Sequence, residues 1–172
     1  SLTFITGFED QKLKDFVNNL NLPFPVRFFF NPLYCETHCA YSLLQAQNEI
    51  SMGFIYINSD LLFCRKSLLA LLDSKHPNAL CHRTIEKYET DLQQLIIGDK
   101  QQVVDWDLPT QKRNNAELVG PIKISANAGQ EILRFYNALT QEEQVKLPCY
   151  TLFSKLIHKS TYFGINITHN PW

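Results

Sequence analysis

The sequence predicts an α/β fold, also readable as α+β. It is a single domain over residues 1–172 whose mixed β-sheet of about five to six strands packs with about five to six helices. Three observations carry this. The first thirty residues read strand, helix, strand; Pro, Gly and Asn-rich breaks then recur at short intervals; and no repeat, low-complexity tract or long linker divides the chain.

Leu2 to Thr6 reads as a strand closed by Gly7, and Glu9 to Asn19 as a helix with Leu13, Phe16, Val17 and Leu20 at helical spacing. Two prolines, Pro23 and Pro25, end it, because neither fits a helix interior. Val26 to Phe30 is a strand, and its apolar run predicts burial on both faces. Asn31-Pro32 turns the chain into a helix over Tyr34 to Ile50, with Tyr41, Leu44 and Asn48 along one side. After Gly53, Phe54 to Ile57 forms a strand, and the turn and cap residues Asn58-Ser59-Asp60 lead into a helix from Leu61 to Asp73. A further helix is expected from Ala79 to Ile97, with Leu80, Ile85, Tyr88, Leu92 and Leu95 inward and Gly98 as its stop.

Lys100 to Leu108 turns strand-like, and polar Pro109 to Asn115 reads as a mobile loop. Leu118 to Ile124 is a strand in which Pro121 predicts an edge position or a bulge. Gln130 to Leu139 is a helix, and Thr140-Gln-Glu-Glu143 has the capping-box form that starts another. Pro148 interrupts that helix, Thr151 to Lys159 resumes it, and Thr161 to Thr168 closes the chain as a strand.

Sixteen basic against seventeen acidic side chains, a net charge of -1, exclude the clustered positive charge that nucleic acid demands. No apolar run reaches the roughly 18 residues of a membrane span. A chain of this length buries roughly two thirds of the surface that unfolding exposes, so neither metal nor cofactor is required for folding, and none is expected. Five cysteines cannot all pair within one chain, which predicts an intracellular, reducing and thus cytoplasmic setting. The first residue is Ser, as in a domain excised from a longer protein.

The densest chemistry lies in Phe30-Asn-Pro-Leu-Tyr-Cys-Glu-Thr-His-Cys39. Pro32 fixes its φ and Asn31 bonds its own backbone, so Asn31-Pro32-Leu33-Tyr34 favours a β-turn that presents the tyrosine. With Phe29 two residues upstream, the stretch resembles the Asn-Pro-x-Tyr peptides read by phosphotyrosine-binding adaptor domains. That resemblance implies a protein partner for Phe29, Asn31, Pro32 and Tyr34. The favoured reading is therefore a binding module without chemistry of its own, extended to a bacterial protein delivered into a host cell. Against it stands an ordinary strand-ending turn with Tyr34 in the core.

An alternative makes Cys35 a nucleophile in the first turn of a helix, where free amides lower a thiol's pKa. The arrangement resembles cysteine hydrolases of the papain type, which implies His158 or His169 as base and Asn170 or Asp107 as its orienting partner. Cys35, His38 and Cys39 with Cys81-His82 form a weaker zinc candidate, since paired Cys-x-x-Cys knuckles are missing. Asp105 and Asp107 share a strand face and suit solvated edge positions, with Trp106 turned inward.

A third alternative is a small-molecule or nucleotide-binding domain. Ser125-Ala-Asn-Ala-Gly129 joins a strand to a helix, where α/β proteins hold anions. One glycine and no Lys-Ser or Lys-Thr pair fall short of a phosphate loop.

Overall fold

One long strand organises the protein. In the computed structural model, which describes residues 1–85, 93–107 and 115–169, β7 (Ala116–Ile124) is buried along almost all of its length. Along one edge it pairs antiparallel with β4 (Ala79–Thr84). Along the other it pairs with β5 (Gln94–Ile97) near its start and β3 (Phe54–Tyr56) near its end, both antiparallel. β8 (Phe163–Asn166) adds parallel to the far edge of β4, and β6 (Val103–Asp107) antiparallel to β5. The two ends of this path then meet. Gln102 bridges Phe163, and the Val103 N–H donates to the Tyr162 carbonyl at 2.8 Å, so the six-stranded sheet curls back on itself.

Alternation along β4 divides the interior. Leu80 belongs to the larger core, with Ile122, Ile132, Leu152, Phe153 and Tyr162. Ala79 and Cys81 face a smaller one, with Leu71, Val119 and Ile167. A second, two-stranded parallel sheet is formed by β1 (Leu2–Thr6) and β2 (Val26–Phe30), in register from Leu2 opposite Val26 to Thr6 opposite Phe30. The helix α1 (Asp10–Asn19) joins them.

The mixed α/β class is the one the sequence implies, and several elements fall where expected. Thr140 and Glu143 form the complete capping box at the head of α6 (Gln141–Lys146), and Pro148 separates it from α7 (Cys149–Ser154). Pro121 lies within the register shift opposite Leu80 and His82, a bulge in a central strand rather than an edge. Trp106 is turned inward.

Other expectations fail for physical reasons. The helix expected over Ala79 to Ile97 is two strands, β4 and β5; Tyr88 and Leu92 lie outside the described residues. Continuous apolar residues suit a buried strand as well as a helix, and Ala79, Leu80 and Cys81 are fully buried between β7 and β8. β2 is not buried on both faces: Arg27 and Phe30 are exposed and the rest of the strand is half-buried. Of the apolar face proposed for α1, Val17 alone is buried. Of the mobile loop expected at Pro109 to Asn115, only Asn115 is described, and its side chain bonds both the N–H and the C=O of Ile97.

The segment from Tyr34 to Ile50 breaks into α2 (Cys39–Leu43), a 3-10 turn (Leu44–Ala46) and α3 (Gln47–Ser51). The helix after Asn58-Ser59-Asp60 begins later than expected, as α4 (Arg65–Asp73). Ser125 caps α5 (Ala126–Asn137) by accepting from the Ala128 N–H at 3.3 Å. Gly129 sits where α5 meets α3, and a Cβ there would stand 2.0 Å from the Ile50 carbonyl oxygen. The loop that suggested an anion site is thus a helix cap and a helix contact.

Two predictions follow from the packing. Gly129→Ala should destabilise the protein by roughly 1–3 kcal/mol in urea unfolding, because the backbone of α3 has to move aside. His82 is 3% exposed, and among the described residues neither ring nitrogen has a hydrogen-bond partner. Burial holds its pKa below the ordinary 6.5, so the folded state keeps it neutral. Below that pH the unfolded chain binds the proton more readily, and stability should fall as pH drops from 6.5 toward the depressed value. In urea titrations at pH 7 and 5.5, His82→Leu should show a smaller difference than the parent protein.

Candidate functional site

Ligands of α/β proteins settle outside the carboxyl ends of strands, and here the carboxyl ends of β1, β2 and β3 share one polar rim. The rim starts at the turn after β2. Asn31 is fully buried with both amide N–H groups and its oxygen engaged: it accepts from the Leu33 N–H and donates to the Thr37 and Ser42 hydroxyls, each at 2.9 Å. Thr37 returns a bond to the Leu33 carbonyl at 2.8 Å, and the Asn31 N–H donates to Thr6 at the end of β1. This knot holds residues 31 to 37 as turns and delays the helix to Cys39, with His38 as its cap.

The rim continues from α2 to α7. The His38 N–H donates to Val145 O at 2.7 Å and the Ala40 N–H to Leu147 O at 3.2 Å. Between them, Cys39 Sγ accepts from the Cys149 N–H at 3.0 Å and lies 3.2 Å from His38 Nδ1. Hydrogen bonding from the Cys149 thiol, above all, with help from that N–H and from His38, lowers the Cys39 pKa to about 5, while the same contact and burial drive that of Cys149 up.

From Cys149 the network reaches the end of β3. Tyr56 touches the Cys149 thiol, and its hydroxyl meets Asn58 Oδ1 at 2.5 Å. Asn58 Nδ2 donates to the Tyr150 hydroxyl at 2.7 Å. Burial raises the pKa of both phenols, that of Tyr150 to about 12, with Asp60 among the charges acting on it. The rim therefore offers a thiol of lowered pKa, an imidazole, an amide, two phenols of raised pKa and a carboxyl group.

Beside it opens a groove of about 570 Å³ lined by Phe29, Tyr41, Gln45, Asn48, Tyr136 and Gln144 among others, none of the lining residues being charged. Tyr41, Leu44 and Asn48, the side expected of that helix, all face it. Among the described residues no group of three or more His, Cys, Asp or Glu could hold a metal ion. Cys81 packs in the smaller core, so the four-ligand zinc arrangement does not assemble.

The residues singled out from sequence are dispersed. Tyr34 is exposed and Pro32 sits in the turn, but Asn31 is locked inside and Phe29 is held in β2. The Asn-Pro-x-Tyr stretch is thus a fixed corner rather than a free peptide able to add a strand to a partner. Cys35 is exposed but precedes the helix, and its thiol lies by the Tyr34 hydroxyl, whose pKa it pushes up. Among the described residues no imidazole hydrogen-bonds to it. His158 follows α7 and His169 follows β8, both exposed; Asn170 lies outside the described residues. The cysteine at the head of α2 is Cys39 rather than Cys35, because the Asn31 knot delays the start of the helix.

No protein-family model matches the chain, and no curated protein matches it in sequence. Solved structures do share its fold. The inositol-1-phosphate CTP transferase from T. maritima superposes with a TM-score of 0.73 at 13% identity, over 95% of this chain and 66% of that one. The CTP:phosphocholine cytidylyltransferase from Streptococcus pneumoniae gives 0.70 at 20% identity, over 96% and 68%. A Bacillus anthracis protein assigned as a glucose-1-phosphate thymidylyltransferase gives 0.74 at 10%, over 95% and 66%. The chain has the fold of these nucleotidyltransferases and spans about two thirds of their length.

Asn31→Ala should cost roughly 1–3 kcal/mol in urea unfolding, since it removes a fully buried amide that holds the Leu33 N–H and the half-buried Thr37 and Ser42 hydroxyls. Tyr34→Phe at the exposed end of the same corner should stay within about 0.5 kcal/mol of the parent.

Proposed function

We propose that the chain is a nucleotide-binding domain of nucleotidyltransferase type, acting on a nucleoside triphosphate and a phosphorylated small alcohol or sugar. The observation that carries this reading is the fold shared with CTP- and thymidylyl-transferring proteins across some 95% of the chain. It replaces the binding module as the best-supported function.

Two features of the site agree with it. The polar rim lies at strand carboxyl ends, where α/β folds bind ligands. Its groups also suit the uncharged parts of a nucleotide: Asn58 presents an amide to a base or ribose edge, and Tyr56 and Tyr150, unionised at neutral pH, offer hydroxyls and aromatic faces. The adjoining groove, walled by amides and aromatic rings without charge, suits a hydroxylated acceptor rather than its phosphate.

Thermal unfolding with CTP, TTP, UTP, ATP and GTP in magnesium-containing buffer tests the reading. Binding to the folded state alone adds about 2.7 kcal/mol when ligand is a hundredfold above its Kd, a shift of several degrees in Tm. At least one triphosphate is expected to raise Tm, and Asn58→Ala to remove most of that rise. No shift with any of the five at millimolar concentration would overturn the proposal.

A further inference from the structure

The thiol pair between α2 and α7 takes no part in the nucleotide reading, and it is built more tightly than packing requires. Backbone bonds on both sides of Cys39, to Val145 and to Leu147, fix it against the start of α7. The Cys149 N–H points at its sulfur from 3.0 Å and His38 Nδ1 stands 3.2 Å away. Cys39 is exposed, whereas Cys149 is 1% exposed and lies directly behind it. A thiol on an exposed residue, with the N–H of a second cysteine 3.0 Å from its sulfur and that cysteine's buried side chain behind it, has the parts of an attacking and a resolving cysteine.

We propose that Cys39 and Cys149 form a peroxide-sensitive dithiol, with Cys39 the attacking and Cys149 the resolving sulfur. Cys39, having given up its proton, attacks one oxygen of hydrogen peroxide. The O–O bond breaks, Cys39 becomes a sulfenic acid, and the departing hydroxide takes up a proton to leave as water. The Cys149 sulfur then attacks the sulfenic sulfur, the S–S bond forms, and the hydroxyl leaves as a second water with the Cys149 proton. Two thiols lose two electrons and one peroxide becomes two waters.

No other cysteine receives a backbone N–H from a second cysteine among the described residues. Cys64 Sγ stands 3.2 Å from the Ser67 hydroxyl, the fully buried Cys81 thiol lies 3.9 Å from the carbonyl of that same serine, and Cys35 has Tyr34 beside it. Drawing the Cys149 sulfur toward Cys39 also takes it from Tyr56, which ties the pair's redox state to the Tyr56–Asn58–Tyr150 chain.

Purified protein treated with hydrogen peroxide at pH 7, alkylated and digested without reductant is expected to yield a Cys39–Cys149 cross-linked peptide that dithiothreitol splits. Cys64 and Cys81 should remain free at the same dose. Cys149→Ser should leave a Cys39 sulfenic acid that dimedone traps, and Cys39→Ser should abolish both products. At pH 6, iodoacetamide should label Cys39 at least tenfold faster than Cys35, with His38→Ala narrowing the ratio. Both thiols still free under excess peroxide, or a Cys35–Cys39 bridge as the main product, would overturn the assignment. None of these readouts requires nucleotide, so the dithiol and the proposed binding function fail or succeed separately.

Discussion

Main-chain hydrogen bonding by β7 is the constraint on which the remaining architecture depends. A nine-residue strand buried on both faces must find partners for every N–H and C=O, since each left unpaired in the interior costs free energy comparable to a lost hydrogen bond. Here β4 satisfies one edge while β5 and β3 share the other. That division sets where β3 ends, and so where Tyr56, Asn58 and Asp60 emerge. The bulge at Pro121 is part of the same solution, because proline brings no donor and the register shift places it where none is needed.

The site is a chain of small polar couplings laid across several elements. Asn31 fixes the corner after β2, the corner sets the start of α2, and the start of α2 places Cys39 against Cys149. Cys149 then meets Tyr56, and Asn58 reaches Tyr150. Such networks sharpen geometry, because each member that loses its partner leaves a buried group unsatisfied. The partners lie far apart in sequence, Cys39 and Cys149 by 110 residues and Asn58 and Tyr150 by 92.

That separation explains what could be read from sequence. Local signals were legible: Thr140 and Glu143 declare a capping box, Val26 to Phe30 declares a strand, and Pro121 declares a break in a ladder. Where one pattern served two structures, as in the apolar run from Ala79, only pairing with β7 and β8 decided for strand. For the site, the segment from Phe29 to Cys39 was the right place to look. Asn31, though, serves as a buried knot, a role that depends on Thr37 and Ser42 and has no local signature. Asn58 was visible only as a turn residue, and Tyr150 and Cys149 gave no sign beyond their place after a proline, because their meaning arises on contact with β3 and α2.

The bridge from Gln102 to Phe163 has a further effect. An open sheet ends in two margins whose bare amides invite a neighbouring molecule to add itself, the route by which β-rich proteins polymerise. Tying the outermost strands to each other withdraws those margins over the stretch they share. Over that stretch the ladder has no bare margin for another chain to extend, so the facing side chains are free to serve the interior.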